Sequence, residues 1–221
     1  DIFKAARLVR EYGFVLGLQM MIGLPRDTFE KSCQTASDIV DMKADLVRIY
    51  PTLVLHNSPL EMLYKSGEYS PLAIDEAVRQ VSRLKMLFEY HNIKVIRTGL
   101  QANEGLDSGE GYLAGPYHPA FGELVDSNIY YLWFDYFIHS HVDQSAKSIA
   151  FLVHPSRLSK AIGQKKSNLH RLAAVYPDLQ ISIRPSLDVD SQEIQGVWKT
   201  ESGSETVNKM SRMAFLAAGI R

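Results

Sequence analysis

Two apolar runs with one amphipathic segment between them constrain this chain more than any other feature. Phe14 to Ile22 is almost continuously hydrophobic and ends in Gly23-Leu24-Pro25, and Leu46 to Tyr50 is a second run, ending in Pro51. Runs without polar alternation suit strands covered on both faces. Between them, residues 28–42 place Cys33, Ala36, Ile39 and Val40 at helical spacing, with Glu30 in the first turn and Asp27 or Thr28 able to cap it. Strands joined through a helix need a crossover connection, so the two runs are expected as parallel neighbours and the class as α/β.

The rest of the chain extends this pattern and then leaves it. Residues 2–12 read as a helix stopped by Gly13, Asn57-Ser58-Pro59 opens a short helix that Gly67 ends, and 74–90 forms a longer one through Ala77, Val81, Leu84 and Phe88. Ile93 to Ile96 is a third strand. Three strands do not close a barrel, so the sheet is either open or completed by strands upstream of Asp1. Residues 99–122 carry six glycines and two prolines, a long irregular loop of the kind that often holds function. An aromatic-rich helix is expected at 120–140. Beyond it comes a different order: strand 147–153, helix 155–162, turn 163–166, helix 167–175, strand 179–184. A last helix is predicted over 204–218, with Val207, Met210, Ala214 and Ala217 on one face.

A chain of 221 residues with 46% hydrophobic content can bury a substantial core. Its formal net charge of −1 conceals an asymmetry. No Lys or Arg lies between Arg97 and Lys147, whereas 151–184 holds Arg157, Lys160, Lys165, Lys166, Arg171 and Arg184 against the single acid Asp178. A local basic face can therefore exist without a basic protein. Cys33 is the only cysteine, which excludes an internal disulfide framework and a Cys-rich metal site. No signal sequence is visible, and the most apolar run, Ile129 to Ile138, is interrupted by Asp135 and too short to span a bilayer. The expectation is a soluble, cytoplasmic protein with no membrane partner.

Ligands collect at the C-terminal ends of parallel strands, where loops converge. Gln19, Met21, Gly23, Tyr50 and Pro51 are placed there, either as ligand contacts or as ordinary core and turn residues. His118 can act as a proton donor or bond a backbone group of its own loop. Asp135 and His139 have metal-compatible spacing but lack a third ligand. There is no nucleophile elbow, Walker loop or dinucleotide fingerprint, so hydrolase, NTPase and nicotinamide dehydrogenase readings have no support.

Gly17 to Pro25 resembles the fifth-strand motif of radical S-adenosylmethionine (SAM) enzymes of the coproporphyrinogen-oxidase and Elongator type. Val47 to Tyr69, with Ile-Tyr-Pro-Thr-Leu-Val, Ser-Pro-Leu, Leu-Tyr and Gly-Glu-Tyr, is similar to the segment after the core strands in the Elongator catalytic subunit and its bacterial relatives. Leu113 to Phe121 also resembles those relatives. The resemblance covers about residues 1 to 140 and implies a partial (β/α) barrel of radical SAM type. By it, Gln19 helps hold SAM and the backbone at Pro51 lies against the adenine. Arg26 stands where many relatives have glycine. No Cys-x-x-x-Cys-x-x-Cys is present, so SAM and a [4Fe–4S] cluster are expected only in a longer parent whose N-terminal half supplies the cysteines. The chain alone is expected to be catalytically silent.

The order strand, helix, loop, helix, strand over 148–184 matches a KH core, whose short loop brings backbone and basic groups to nucleic-acid phosphates. Here Gly163 permits close approach, Gln164, Lys165 and Lys166 form the loop, and Ser167 or Asn168 can cap the helix that follows. Lys166 replaces the second glycine of a GxxG loop. The alternative is a solvated helix-turn-helix. The combined expectation is residues 1–145 as the C-terminal part of the barrel and 146–221 as a small α+β KH-like domain. Its partner is RNA, with tRNA the substrate that the resemblance implies. A non-catalytic RNA-binding or assembly module, and a radical SAM enzyme acting on a small molecule such as a porphyrin precursor, remain as alternatives.

Overall fold

The computed structural model describes residues 1–101, 104–200 and 203–219, in two compact units, Asp1–Val125 and Asp126–Arg221. In the first unit the order is α1 (Ile2–Glu11), β1 (Gly17–Ile22), α2 (Phe29–Asp41), β2 (Leu46–Pro51), β3 (Val54–Leu55), α3 (Pro59–Lys65), α4 (Ile74–Tyr90), β4 (Lys94–Thr98), α5 (Glu104–Asp107) and β5 (Tyr112–Ala114). The helix α6 (Phe121–His141) begins here and continues into the second unit.

Strands β1, β2 and β4 form a parallel sheet in the order β1-β2-β4, with Gly17↔Leu46 through Ile22↔Pro51 in register. The two apolar runs are thus parallel neighbours, as their spacing requires. Thr28 is the residue that caps α2, its side chain accepting from the Lys31 N–H at 3.4 Å. One expectation is corrected. The crossover helices α2 and α4 touch each other and lie against one face of the sheet, over Met20, Ile22, Val47 and Ile49. Gln19, Met21 and Arg48 on the opposite face are exposed, with Met21 at 41%. Both crossovers return on the same side, so the strands are covered on one face and not on two.

Inside the supposed irregular stretch 99–122, β5 pairs antiparallel with β3 through Val54↔Ala114 and Leu55↔Tyr112. Gly115 makes this possible. Its φ is +126°, and a Cβ there would stand 2.8 Å from Leu53 Cδ2 and 3.0 Å from Thr52 O.

The second unit follows α6 with β6 (Ala146–Val153), a 3₁₀ turn (Pro155–Arg157), α7 (Leu158–Ile162), a second 3₁₀ turn (Gln164–Lys166), α8 (Ser167–Val175), β7 (Gln180–Pro185), β8 (Glu193–Thr200), β9 (Glu205–Ser211) and α9 (Arg212–Gly219). The sheet order is β7-β6-β8-β9, with β6 parallel to β7 and antiparallel to β8, and β8 antiparallel to β9. The unit boundary falls within α6, upstream of the 145/146 position expected from the sequence, because the later turns of α6 belong to this core. Phe134 and Phe137 pack on Phe151 with ring centroids 4.4 and 5.5 Å apart, and Phe137 meets Trp198 edge-on at 6.1 Å.

The helix predicted over 204–218 is a second correction. Residues 205–211 pair with β8 as a strand, and only 212–219 are helical. Met210 is buried at 6% while Val207 is 53% exposed, the alternation of a half-covered strand rather than one helical face. No helix among the described residues is long and apolar enough to cross a membrane.

Candidate functional site

In the first unit, the segments singled out in the sequence converge at one end of the parallel sheet. Gly23, just past β1, has φ +73°, and a Cβ on it would meet Leu72 Cδ1 at 2.9 Å. Its N–H donates to Asp27 Oδ2 at 2.9 Å, and its carbonyl accepts from the Tyr69 hydroxyl at 2.6 Å. The Gly-Leu-Pro turn and the Gly-Glu-Tyr segment, 46 residues apart, are therefore bonded directly. The Ser32 hydroxyl donates to the same Asp27 Oδ2 at 3.0 Å, and Lys31 Nζ donates to Arg26 O at 2.6 Å. Arg26 holds φ +62°, the left-handed conformation that a glycine would take most easily. Thr52 Oγ1, buried, donates to Ile22 O at 2.8 Å and ties the end of β2 to the end of β1.

The five residues expected at this end are not equivalent. Met21 and Tyr50 are register partners, and with Gln19 they alternate onto the open face. Gly23 is fully engaged by Asp27 and Tyr69, so its N–H and C=O are already used within the turn. Pro51 is buried, on the same side as Val47 and Ile49. Arg48 was missed. It lies opposite Gln19 in β2 and opposite Arg97 in β4, so Gln19, Arg48 and Arg97 form one cross-strand row. The polar residue alternating with Val47 and Ile49 was the available signal. Such a row can hold an anionic group of a ligand. His118 Nδ1 accepts from the Ala120 N–H at 3.0 Å, so the ring bonds its own loop through a backbone N–H.

A cluster does not fit the donor set of this chain. Cys33 lies half-buried on α2, its thiol pushed up by burial and further by Glu30, and no group of three His, Cys, Asp or Glu able to hold a metal occurs among the described residues.

In the second unit, the loop 163–168 has the expected position between two helices. Gly163 has φ +77°, and a Cβ there would stand 2.3 Å from Ser167 Oγ and 2.6 Å from Ser127 Oγ. Lys165 and Lys166 follow in the left-handed region, with φ +51° and +61°. Lys166 thus holds a backbone conformation that glycine adopts more easily. Gln164, Lys165 and Lys166 are exposed, whereas Asn168 is 1% exposed and donates through Nδ2 to Ser127 O at 2.8 Å and Ala161 O at 2.9 Å. Asn168 therefore ties the start of α8 to α6 and to the end of α7 across the loop, and neither it nor Ser167 caps α8, whose N-cap residue Lys166 makes no side-chain capping bond.

The basic stretch is thinner than its composition. Lys160 Nζ is 2.5 Å from Asp126 Oδ2, and Arg171 lies 3.6 Å above the Tyr131 ring while donating to Asn128 Oδ1 at 3.0 Å. Lys165 and Lys166 project into water from a strained loop beside an uncapped helix start, the arrangement that receives an anion.

Residues 44–131 match the Radical_SAM C-terminal domain family. That span runs from β2 into α6 and includes Tyr50, Pro51, Tyr69 and His118. Among curated proteins, the chain is similar to a "tRNA uridine(34) acetyltransferase" of Methanocaldococcus jannaschii, 32% identical over 90 residues, or 39% of this chain and 17% of the relative. The protein of the same name from Methanocaldococcus infernus is 30% identical over the same shares. A third of that name, from Dehalococcoides mccartyi, is 32% identical over 32% of this chain and 16% of its own length. The chain thus aligns with about one sixth of the length of each of these relatives.

Proposed function

We propose that this chain, whose residues 44–131 match the Radical_SAM C-terminal domain family, works as part of a radical SAM protein that modifies tRNA in the cytoplasm. The observation that carries the reading is the convergence of the Gly-Leu-Pro turn and the matched span at the C-terminal end of the parallel strands, where Tyr69 bonds Gly23 and β5 pairs with β3. In this reading Gln19, Met21 and Tyr50 face SAM from the open side of a (β/α) half barrel, and the backbone at Gly23 and Pro51 shapes the end of the pocket. Arg48 is added as the group that meets an anionic part of the ligand. The cluster's thiolates come from outside residues 1–221, because a lone Cys33 cannot supply three of them. The acetyl transfer in the relatives' name is not carried over, since the alignment leaves most of their length unmatched.

The KH-like unit is the RNA-facing part, with Gly163, Gln164, Lys165 and Lys166 against phosphates and Asn168 holding their loop. The test is tRNA binding by the chain at several salt concentrations. Affinity is expected to fall steeply with salt, and Lys165→Ala and Lys166→Ala are each expected to reduce the log–log slope by about 0.7–0.9. Absence of binding at low salt, or an unchanged slope in both variants, overturns the RNA assignment. One observation favours a second reading, a non-catalytic RNA-binding module: no cluster ligand set exists among the described residues. SAM affinity separates the two, since the first reading requires that Arg48→Ala and Gln19→Ala weaken it and the second expects none to lose.

A further inference from the structure

Among the described residues, strand β9 is an edge of the second sheet, bonded to β8 on one side only. Glu205, Thr206, Val207 and Lys209 are all exposed, and a free edge of this kind is a template for another strand. Its sequence says which strand fits. An antiparallel copy of Glu205-Thr-Val-Asn-Lys209 centred on Val207 sets Glu205 opposite Lys209 twice, Thr206 opposite Asn208 twice, and Val207 opposite itself.

The charges in one copy leave room for this. Lys209 faces Gln195 across β8 and has no carboxylate partner among the described residues, while Glu205 is 3.4 Å from Lys199 with both side chains exposed. A second copy would supply each Lys209 with its carboxylate. Glu205, Val207 and Lys209 alternate onto one face of the sheet. There register aligns Ser182, Ala150, Val197 and Val207 in a row of small and apolar residues, and the pairing would continue that row through the two-fold axis. The opposite edge lacks this property. Self-pairing of β7 about Ser182 sets Gln180 against Arg184, without a carboxylate, and the strand ends in Pro185, which has no N–H to give.

We infer that β9 is a self-complementary docking edge through which two copies of this chain join into one eight-stranded sheet. The inference is independent of any reading of the RNA loop or of SAM. A single strand pair buries little surface, so the dimer is weak and concentration-dependent.

The test is sedimentation velocity on the full chain over a range of concentrations, with charge exchange at the two positions. The unsubstituted chain is expected to pass from monomer to dimer as concentration rises and to stop there. Glu205→Lys and Lys209→Glu each bring like charges together at both ends of the pairing, and each is expected to weaken self-association about tenfold or more. Mixed one to one, the two variants are complementary, and the mixture is expected to dimerise as the unsubstituted chain does. So is the double exchange. Far-UV circular dichroism checks each fold, and Lys209→Gln replaces Lys209→Glu if the latter perturbs it. A chain that stays monomeric throughout, single variants that dimerise undiminished, a mixture that stays monomeric, or growth into open-ended polymers overturns the inference.

Discussion

Two tight turns in this protein, Gly23–Arg26 in the first unit and Gly163–Lys166 in the second, begin at glycine and end on a long basic residue held in left-handed backbone. What surrounds them differs. Around the first, Asp27 takes the Gly23 N–H and the Ser32 hydroxyl, Tyr69 reaches the Gly23 carbonyl, and Lys31 reaches that of Arg26. Around the second, Asn168 ties the flanking elements together through Ser127 O and Ala161 O, and Lys165 and Lys166 are exposed to solvent. The same backbone irregularity thus serves as a frame where neighbouring side chains engage it, and as a presented surface where they do not.

The sharpest test removes the buried amide that ties the flanks of the second turn. Asn168→Ala leaves Ser127 O and Ala161 O without their buried donor, and is expected to lower stability by about 3 kcal/mol in urea unfolding. In the first turn the load is shared, so Asp27→Ala is expected to lose less, about 2 kcal/mol by the same measurement, with the Tyr69 bond still in place. Equal losses would erase the distinction between a shared and a single brace.

A smaller effect separates backbone from charge. Arg26→Gly and Lys166→Gly both relieve left-handed strain at the expense of glycine's entropy in the unfolded chain, and each is expected to gain about 0.5 kcal/mol in thermal unfolding. Of the two, only Lys166→Gly is expected to weaken the proposed salt-sensitive tRNA binding. If Arg26→Gly weakens it equally, the presented surface is not confined to the second turn.

The smallest expected effect is a pH dependence peculiar to the first turn. Burial, and then the Asp27 carboxylate, raise the Tyr69 hydroxyl above its ordinary value of 10.0. The raised group keeps its proton in the folded state after the unfolded chain has ionised. Its contribution is therefore complete below about pH 10 and lost as pH rises through the folded value. Tyr69→Phe is expected to remove this component from the alkaline limb of the stability profile, and a profile unchanged by the substitution would show that the phenol does not brace the turn.

Much of the first unit was legible because its signals are local. Apolar runs bounded by Gly-Leu-Pro and Tyr-Pro, with one helix between, leave few alternatives to parallel neighbours, and Ser58 and Thr28 act as caps as their positions suggest. The misreadings arose where pairing across the chain decides. Val207 and Met210 stand three positions apart and fit a helical face equally well, and only β8 as a partner makes 205–211 a strand. Asn168 read as a cap or RNA contact because sequence shows that an amide sits at a helix start but not which way it turns. Arg48 is the polar interruption of a run that reads as buried on both faces, and its place on an open face shows only in the folded sheet.

Gly196 sets the spacing of the second unit. A Cβ there would fall 2.4 Å from Phe137 Cε1, so an aromatic ring of α6 rests directly on the bare backbone of β8. Any larger residue at position 196 would act as a wedge, lifting the helix from the middle of the sheet and separating the Phe134, Phe137 and Phe151 rings together. The tolerance of this layer to variation is therefore set by one missing methyl group, and no improvement of the rings themselves can substitute for it.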